Sequence, residues 1–374
     1  MNALFVSNDP TAFDPSSATR ARLRAYAAAI GELHFLSRGK GDDQDDGPLH
    51  LHPVHGVKLF ALMGMEKRAN ELIRQHGIEV VSAQDPFEHG RIAMKAVAGT
   101  NAKLHIQIHT DFLSPWFTRS GVFRSMKVHM PALNRIRVRI ADQVLPSAHG
   151  IRVVSERIRE SLAARYPSLP PVSVIPVSVE REAPEALPLP DHGFSFAFVT
   201  AGRLEPEKRI EDILMALGKI AQRFPSVGLV IIGDGSEHKK LETLAKKLGL
   251  SARVVFAGEQ GTKAWGMMRS AHAYIQASAY EGYGRTLIEA ALARLPIITT
   301  DVGIVGEVFK GYEQVLATPP GDTQNLAALM TALISDQQLR RSLVLNAEAA
   351  VQEHLAHYPD QPRLIAEDLA KAVQ

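Results

Sequence analysis

The chain has 374 residues, of which 45% are hydrophobic and 22% charged, and its formal net charge is only +2. These values are typical of a soluble globular protein of two or three domains, and they argue against nucleic-acid binding through overall charge. The absence of cysteine excludes disulfides, thiolate metal sites and a cysteine nucleophile. The first residues run into a predicted strand without a basic start or a long apolar region, so we expect no signal peptide and a cytoplasmic protein.

Short β-rich runs alternate with helical patterns in the first half of the chain. The predicted strands are 3–7, 32–37, 78–83, 103–109, 142–147 and 172–176. This alternation predicts a parallel α/β sheet, whose ligands lie at the carboxyl ends of the strands. The rule directs attention to the loops after Ser7, Ala83 and His109.

Two of these loops have features that indicate ordinary helix starts. In the first loop, Ser16 or Ser17 is expected to cap the helix that follows. After the third predicted strand, Asp85 is expected to be an N-cap, with Pro86 at the first helical position.

Two charged segments complete the first half. The run 41–47 contains Asp43-Gln44-Asp45, a DxD spacing used by some metal sites, but we interpret it as a charged surface turn and predict no metal site. The stretch 117–141 contains basic and apolar residues and no acidic residue. It is either a solvated basic face or a surface that contacts anionic lipid or a charged acceptor.

A proline-rich segment, 182–193, lacks periodicity and is predicted to be a domain linker. The alternation then restarts, with predicted strands at 193–203, 227–233, 253–258, 273–277 and 296–300, and a last β-like piece at 313–322. Helical patterns run to about 354, and an amphipathic helix closes the chain. The predicted domains are 1–181 and 194–355, with a terminal segment, 356–374, that includes this helix.

The segment EGYGRTLIE, 281–289, joins two of these predicted strands through a glycine-rich turn and a helix. Gly282 and Gly284 lack a Cβ atom, so a ligand can lie close to the backbone. The amides of Gly284, Arg285 and Thr286 would lie at the helix N-terminus, a position that suits phosphate.

Glu281 and Glu289 frame the same segment. Each carboxylate offers two acceptor oxygens, which suits two neighbouring hydroxyls of a ribose or a hexose. The alternative is a solvated glutamate beside a helix that carries a second one. The strand, turn and helix around the pair favour the functional interpretation.

The segment 281–289 resembles the ExxxxxxxE signature of retaining glycosyltransferases of family four. The loop after the predicted strand 193–203 is similar to the GRLxxxK motif of that family and matches it at Gly202, Arg203, Leu204 and Lys208. The resemblance implies the GT-B fold, in which two Rossmann-like α/β domains with parallel sheets face a cleft.

The basic residues of the second motif have a physical use. Breaking a sugar–diphosphate bond leaves charge on phosphate oxygens. Arg203 can grip these oxygens with a planar fork, and Lys208 supplies a compact positive charge. Stabilising charge that develops in the transition state is usually the largest catalytic contribution.

The resemblance also implies a role for each site residue. Glu289 would bind the ribose, Glu281 would contact the hydroxyls of the donor sugar, and His109 would contact that sugar from the opposite domain. The implied catalytic residues are His109, Arg203, Lys208 and Glu281. The implied donor-binding residues are Gly202, Gly233, Gly258, Glu259, Gly282, Tyr283, Gly284, Arg285, Thr286 and Glu289.

The implied reaction moves a sugar from a nucleotide diphosphate sugar, UDP- or GDP-linked, to a hydroxyl of a glycan or lipid-linked glycan, as in polysaccharide biosynthesis. The acceptor attacks the face that the diphosphate leaves, and the leaving phosphate takes its proton, so no cofactor, metal or side-chain nucleophile is expected. Contact with the inner face of the membrane through 117–141 would fit a lipid-linked acceptor. No nucleic-acid partner is expected.

Two other functions stay open. One is a nucleotide-sugar epimerase on the same fold, against which the paired glutamates and the Arg203/Lys208 pair argue. The other is a non-catalytic nucleotide-sugar-binding subunit. It is favoured by the first loop, where Ser16 and Ser17 stand near the usual place of adjacent glycines in the family.

Overall fold

The computed structural model describes residues 1–56, 58–119, 122–123, 128–129, 131–191 and 193–374. The chain forms two compact units, the first made of Met1–Leu113, Ala132–Val177 and Tyr358–Gln374, and the second of Ser114–Pro131 and Ser178–His357. Each unit is an α/β domain built on its own parallel sheet, as the alternation of strands and helices predicted.

The strands are short and mostly apolar. They are β1 (Asn2–Val6), β2 (Glu32–Arg38), β3 (Gln44–Asp46), β4 (Leu49–Val54), β5 (Val80–Ala83), β6 (Lys103–Ile108), β7 (Val122–Phe123), β8 (Val128–His129), β9 (Gly150–Val153), β10 (Val172–Val174), β11 (Phe196–Ala201), β12 (Val227–Ile232), β13 (Val254–Gly258), β14 (Ala273–Ile275), β15 (Ile297–Thr300) and β16 (Leu316–Thr318).

The α-helices connect these strands and cover the sheets. They are α1 (Ala18–Ile30), α2 (Lys58–His76), α3 (Glu88–Val97), α4 (Pro131–Val144), α5 (Glu156–Arg165), α6 (Ile210–Ile220), α7 (His238–Lys247), α8 (Lys263–Met268), α9 (Arg285–Leu292), α10 (Thr323–Ser335), α11 (Gln337–Ala356) and α12 (Gln361–Val373).

The first unit has an eight-stranded sheet in the order β10-β9-β6-β5-β1-β2-β4-β3, and only β3 runs antiparallel to its neighbour. The central strand β1 is paired on both sides, with Phe5 opposite Phe35 of β2 and opposite Ser82 of β5. Its apolar side chains are fully buried because helices cover both faces of a parallel sheet.

The second unit has a six-stranded parallel sheet in the order β13-β12-β11-β14-β15-β16. From β11 the chain proceeds outward through β12 and β13, and it then returns to β14 and proceeds outward on the other side. The order therefore reverses between β11 and β14, which are paired at Val199 and Tyr274. In open α/β sheets, ligands bind beyond the carboxyl ends of the strands at such a reversal.

The predicted strand at 142–147 is wrong. Helix α4 continues to Val144, and a short 3-10 helix, Leu145–Ser147, follows it. Ala141, Val144 and Leu145 are all fully buried, at the spacing of a helix rather than of a strand. The edge region of the sheet is instead built by β9, which begins only at Gly150.

The acidic run 41–47 is not a simple surface turn, because Gln44–Asp46 forms the antiparallel strand β3. Its aspartates pair with histidines of β4: Asp43 Oδ2 lies 2.8 Å from His52 Nδ1, and Asp45 Oδ1 lies 2.6 Å from His50 Nδ1. These pairs attach β3 to the edge of the first sheet.

The predicted helix caps are found with one difference. Ser17 is the N-cap of α1, and its Oγ accepts a hydrogen bond from the amide of Arg20 at 3.0 Å. Helix α3 has Phe87, not Asp85, at the N-cap position. Asp85 Oδ1 nevertheless accepts the Phe87 amide at 2.8 Å, so this carboxylate stabilises the start of the helix from two residues upstream.

The segment predicted to be a linker, 182–193, lies in the second unit and is bonded to it. The amide of Leu187 donates to the Gly266 carbonyl at 2.9 Å, and Ser270 Oγ donates to the Leu187 carbonyl at 2.7 Å.

The terminal helix α12 lies in the first unit. Tyr26 donates to Gln361 Oε1 at 2.9 Å, and His105 Nε2 lies 3.0 Å from Asp368 Oδ2.

None of the helices in the described part of the chain is long and apolar enough to cross a membrane. The predicted membrane-contact segment 117–141 falls in part on residues 120–121, 124–127 and 130, which lie outside the described residues.

Candidate active site

The reversal point of the second sheet brings two of the predicted motifs together. The loop after β11 carries Gly202 to Lys208, and the loop after β14 carries Ser278 to Glu281. Because β11 and β14 are adjacent, both loops leave the sheet at the same edge. A ligand at this edge could contact both motifs.

Glycines at the ends of three adjacent strands make close backbone packing feasible. Gly202 follows β11 with φ +147°, and Gly233 follows β12 with φ +132°. A Cβ atom on Gly233 would lie 1.9 Å from the Gly202 carbonyl oxygen. The Gly233 amide donates to the carbonyl of Gly258, the last residue of β13, at 2.8 Å. The three predicted glycines therefore form one continuous strip of backbone.

Lys208 and Glu281 form an ion pair that joins the two loops. Lys208 Nζ lies 2.5 Å from Glu281 Oε1, and both side chains are largely shielded from solvent. Ser278 Oγ donates to the same carboxylate oxygen at 2.7 Å. The pair holds a positive charge at the reversal point and fixes Glu281 in one orientation.

Arg203 is much more exposed than Lys208. Half of its side chain is accessible to solvent, and its Nη2 atom lies 3.2 Å from Glu207 Oε1. The guanidinium is therefore held at the surface of the same loop by one weak pair and is available to a ligand.

Helix α9 begins immediately after Gly284, whose φ of +91° favours glycine. The Leu287 amide donates to the Gly284 carbonyl at 2.8 Å. The amides of Arg285 and Thr286 come just before it in the first turn, where a helix offers no internal acceptors. This arrangement suits an anionic group.

Glu289 lies one turn inside α9 on the same face as Arg285. Arg285 Nε lies 2.7 Å from Glu289 Oε1, and Trp265 Nε1 donates to the backbone carbonyl of Glu289 at 2.8 Å. Burial raises the pKa of the Glu289 carboxyl, and Arg285 opposes that effect. The result is a shielded carboxylate that keeps a positive partner.

The three remaining residues of the predicted donor site differ in exposure. Tyr283 is buried, and its hydroxyl lies 2.8 Å from His354 Nε2. Its carbonyl accepts the Ile304 amide at 3.0 Å, so Tyr283 fixes the turn against the rest of the second unit. Gly282 is buried as well, whereas Glu259, beyond β13, is exposed.

His109 belongs to the first unit, where it directly follows β6. Its Nε2 atom is buried and has no hydrogen-bond partner among the described residues. Burial lowers the pKa of His109 to about 3, and the charges of Arg152 and Arg22 act in the same direction. The imidazole is therefore neutral at pH 7 and can act as a hydrogen-bond donor or acceptor.

The sequence interpretation did not identify Gln276 or Ser278 as site residues, although both are buried beside the motifs. Both follow the apolar strand β14, and a single polar residue in such a place forms no distinctive sequence pattern. Across the described residues, no group of three or more His, Asp or Glu side chains is placed to hold a metal ion.

Two family models match the chain. One, described as "Glycosyl transferases group 1", matches residues 189–350, and the other, "Glycosyltransferase Family 4", matches residues 19–183. The first match contains all of the motif residues discussed above for the second unit.

Curated relatives share part of this sequence. Glycogen synthase of Mycobacterium tuberculosis is 30% identical over 136 residues, which are 36% of this chain and 33% of that protein. Lipopolysaccharide 1,6-galactosyltransferase of Salmonella typhimurium is 31% identical over 156 residues, which are 40% of this chain and 42% of that protein. In these matches the chain spans about a third to two fifths of the length of the relatives.

Solved structures are similar over nearly the whole chain. A sucrose-phosphate synthase from Thermosynechococcus elongatus has a TM-score of 0.76 at 18% identity and covers 98% of both chains. Anabaena HepE in complex with UDP and glucose has a TM-score of 0.75 at 20% identity and covers 99% of both chains. This likeness shows the GT-B fold of two parallel-sheet domains. Taken with the two family models, it indicates a glycosyltransferase.

Proposed function

We propose that this chain is a retaining glycosyltransferase of family four that moves a sugar from a nucleotide diphosphate sugar to a hydroxyl acceptor. One observation carries the proposal. At the reversal point of the second sheet, Lys208 and Glu281 are paired across two adjacent loops, and the N-terminus of α9 follows directly on the second loop. A cation, helix amides and acceptor carboxylates are the groups that a diphosphate sugar requires.

The basic groups would hold the diphosphate. Lys208 supplies a shielded charge, and Arg203 is exposed and free to turn toward a ligand because its pair with Glu207 is weak. The amides of Arg285 and Thr286 would add neutral donors. These groups stabilise the charge that grows on the phosphate oxygens as the bond to the sugar breaks.

The carboxylates would recognise hydroxyls. Glu289 would accept hydrogen bonds from the ribose, and Glu281 would accept them from the donor sugar. Neutral His109 of the first unit would hydrogen-bond the same sugar. Since His109 is neutral at pH 7, its role would be to hold the sugar rather than to act as a strong base.

The proposed reaction needs no side-chain nucleophile. The bond between sugar carbon C1 and the diphosphate oxygen breaks, and a bond from C1 to the acceptor oxygen forms on the same face. The acceptor proton passes to the leaving diphosphate oxygen. The configuration at C1 is therefore retained.

The proposed donor is UDP- or GDP-linked, and the acceptor is a glycan or a lipid-linked glycan. UDP is supported by the HepE structures, which contain UDP or UDP-glucose. The acceptor class is supported by the Salmonella relative, which is named lipopolysaccharide 1,6-galactosyltransferase. We also propose that the basic segment 117–141 contacts a membrane surface.

Arg203 provides the test of this function. We expect Arg203→Ala to lower kcat/KM by roughly 10²- to 10³-fold, because one donor to the developing charge is lost. The assay measures nucleoside diphosphate released from UDP- and GDP-linked hexoses with glycan and lipid-linked acceptors. Arg294→Ala is the matched control, since Arg294 is another exposed arginine of the second unit paired with a single glutamate, Glu348. It should retain wild-type turnover.

Three outcomes would contradict the proposal. Unchanged turnover in Arg203→Ala would remove the diphosphate assignment. Inversion at C1 of the product, measured by proton NMR, would exclude the retaining mechanism. Sugar isomerisation without any acceptor would instead favour an epimerase.

A further inference from the structure

Gln276 is a buried polar residue with an incomplete set of hydrogen bonds. It directly follows β14, and its amide N–H donates to the Ile298 carbonyl at 2.9 Å, so its backbone is fixed in the sheet. Only 4% of the Gln276 surface is exposed to solvent. Among the described residues, its side-chain Nε2 atom has no hydrogen-bond partner.

The other end of the same side-chain amide is well occupied. Gln276 Oε1 accepts a hydrogen bond from Thr286 Oγ1 at 3.0 Å and lies 3.4 Å from the Tyr274 hydroxyl. Tyr274 is fully buried, and burial raises the pKa of its hydroxyl, so the proton stays available for donation. The two hydroxyls orient the amide and leave Nε2 directed elsewhere.

Gln276 lines a pocket at the reversal point between β11 and β14. The pocket is also lined by Gly202, Arg203, Lys208 and Ser278. Lys208 reaches across the open side of Gly202, where its Cε atom lies 4.0 Å from the place a Cβ would occupy. The pocket therefore combines positive charges with an unpaired N–H donor, and both favour an anionic oxygen.

We propose that Gln276 is a further ligand-binding residue, whose Nε2 donates a hydrogen bond to a phosphate oxygen of the nucleoside diphosphate group. This inference rests on the proposed function and adds a residue to the diphosphate site. Thr286 connects the new donor to the N-terminus of α9, because its hydroxyl holds the Gln276 amide while its own backbone amide lies in the first helical turn.

A purely structural role does not explain the unpaired donor. Buried polar groups in proteins are nearly always hydrogen-bonded, and an unpaired one is unfavourable. A methionine would fill the same volume without leaving this N–H unsatisfied, although the hydroxyls of Thr286 and Tyr274 would lose the Oε1 acceptor. The Nε2 donor is therefore expected to serve ligand binding, whereas Oε1 serves the hydroxyls of Thr286 and Tyr274.

The test compares Gln276→Met and Gln276→Glu with the wild type in the full chain. Affinities for UDP, GDP and the nucleosides uridine and guanosine are measured by calorimetry, and unfolding temperatures are measured without ligand. Gln314→Met is the matched control, since Gln314 is also in the second unit but its Oε1 accepts the backbone amide of Lys310.

We expect Gln276→Met to weaken binding of the preferred nucleoside diphosphate by about ten-fold, the scale of one lost hydrogen bond to a charged group. Its unfolding temperature without ligand should fall only slightly, because removal of the unsatisfied N–H offsets the loss of the acceptor for the Thr286 and Tyr274 hydroxyls. Gln276→Glu should weaken binding further, because a carboxylate would face phosphate oxygens. Nucleoside affinity should not change in either variant, and Gln314→Met should bind as the wild type does.

Wild-type affinity for the diphosphate in either Gln276 variant would overturn this inference and leave the proposed function intact. An equal loss of affinity for diphosphate and nucleoside would also overturn it, because the residue would then not act on phosphate. If the wild type binds neither UDP nor GDP, the proposed function itself fails and the inference fails with it.

Discussion

In the second unit, the strand ends can approach one another closely because glycines there lack a Cβ atom. At Gly233, a side chain would meet the carbonyl oxygen of Gly202 at 1.9 Å, whereas at Gly258 nothing lies within 4 Å of an added Cβ. Both residues have positive φ angles. Alanine substitutions at the two positions can therefore be compared. Both strain the backbone, but only the one at Gly233 also makes a steric clash with a neighbouring backbone atom.

We expect Gly233→Ala to lower the free energy of unfolding of the second unit by about 3–5 kcal/mol, because the backbone must move. Gly258→Ala is the control and should lose only about 1–2 kcal/mol, from the positive φ angle alone. Denaturant unfolding followed by circular dichroism measures both. Equal losses in the two variants would show that the close approach at Gly202 has no energetic weight.

From the sequence, candidate site residues could be proposed only where they fall within a motif that follows a predicted strand. Lys208, Glu281 and Glu289 lie within motifs. The pairing of Lys208 with Glu281 follows from two loops that leave adjacent strands, whereas Glu289 pairs with Arg285 inside α9. Gln276 could not be predicted, because one polar residue at the end of an apolar strand has no distinctive spacing. Only its burial and the partners of its two amide atoms identify it.

At the scale of elements, the edge of the first sheet contains a cluster of histidines on β2, β4 and the end of α2. The ring of His34 lies 4.7 Å from that of His50, 5.3 Å from that of His52 and 4.3 Å from that of His76. Its Nδ1 atom lies 3.0 Å from His52 Nε2. Burial, together with the three neighbouring histidines, lowers the pKa of His34 to about 3, while Asp45 acts in the opposite sense.

This cluster makes the stability of the first unit sensitive to acid. An unfolded histidine has a pKa near 6.5. Below that pH, His34 is protonated in the unfolded chain but stays neutral in the folded protein. Stability is therefore lost as the pH falls below about 6.5 toward 3. From pH 7 to pH 5 the loss due to His34 should be about 1–2 kcal/mol.

His34→Asn should reduce the difference in unfolding free energy between pH 7 and pH 5 by that amount. The measurement is denaturant unfolding at both pH values. His357→Asn replaces an exposed histidine of the second unit and should keep the wild-type difference. The same pH difference in His34→Asn and in the wild type would show that His34 does not control acid sensitivity.

Strand periodicity explains which elements the sequence predicted. The strands β1, β11 and β12 are nearly continuous apolar runs, as expected for strands buried on both faces. Strand β4 was missed although its sequence, LHLHPV, alternates leucine with histidine, because the run is short and contains a proline. The error at 142–147 came from a short apolar run that fits a helix end equally well.

At the scale of the whole molecule, the fold depends on two separate sheets, each with its own hydrophobic core. Alternating strands and helices were enough to predict this architecture. The division of the chain is less simple, because 114–131 lies with the second unit and 358–374 with the first. The assignment of these two segments depends on contacts between residues that are distant in sequence, which local periodicity does not encode.

The central claim is that the second unit binds a nucleoside diphosphate sugar beside Glu281 and α9. Titration calorimetry with UDP, GDP and ADP tests it most directly, using the wild type, Glu289→Ala and Glu348→Ala. Glu348 is a matched control, since it is also a glutamate of the second unit paired with an arginine.

We expect the wild type and Glu348→Ala to bind one of these nucleotides with equal affinity. Glu289→Ala should bind it at least about ten-fold more weakly, because the hydrogen bonds to the ribose are lost. If no nucleotide binds the wild type, or if Glu289→Ala binds as tightly as the wild type, the assignment of the donor site is contradicted.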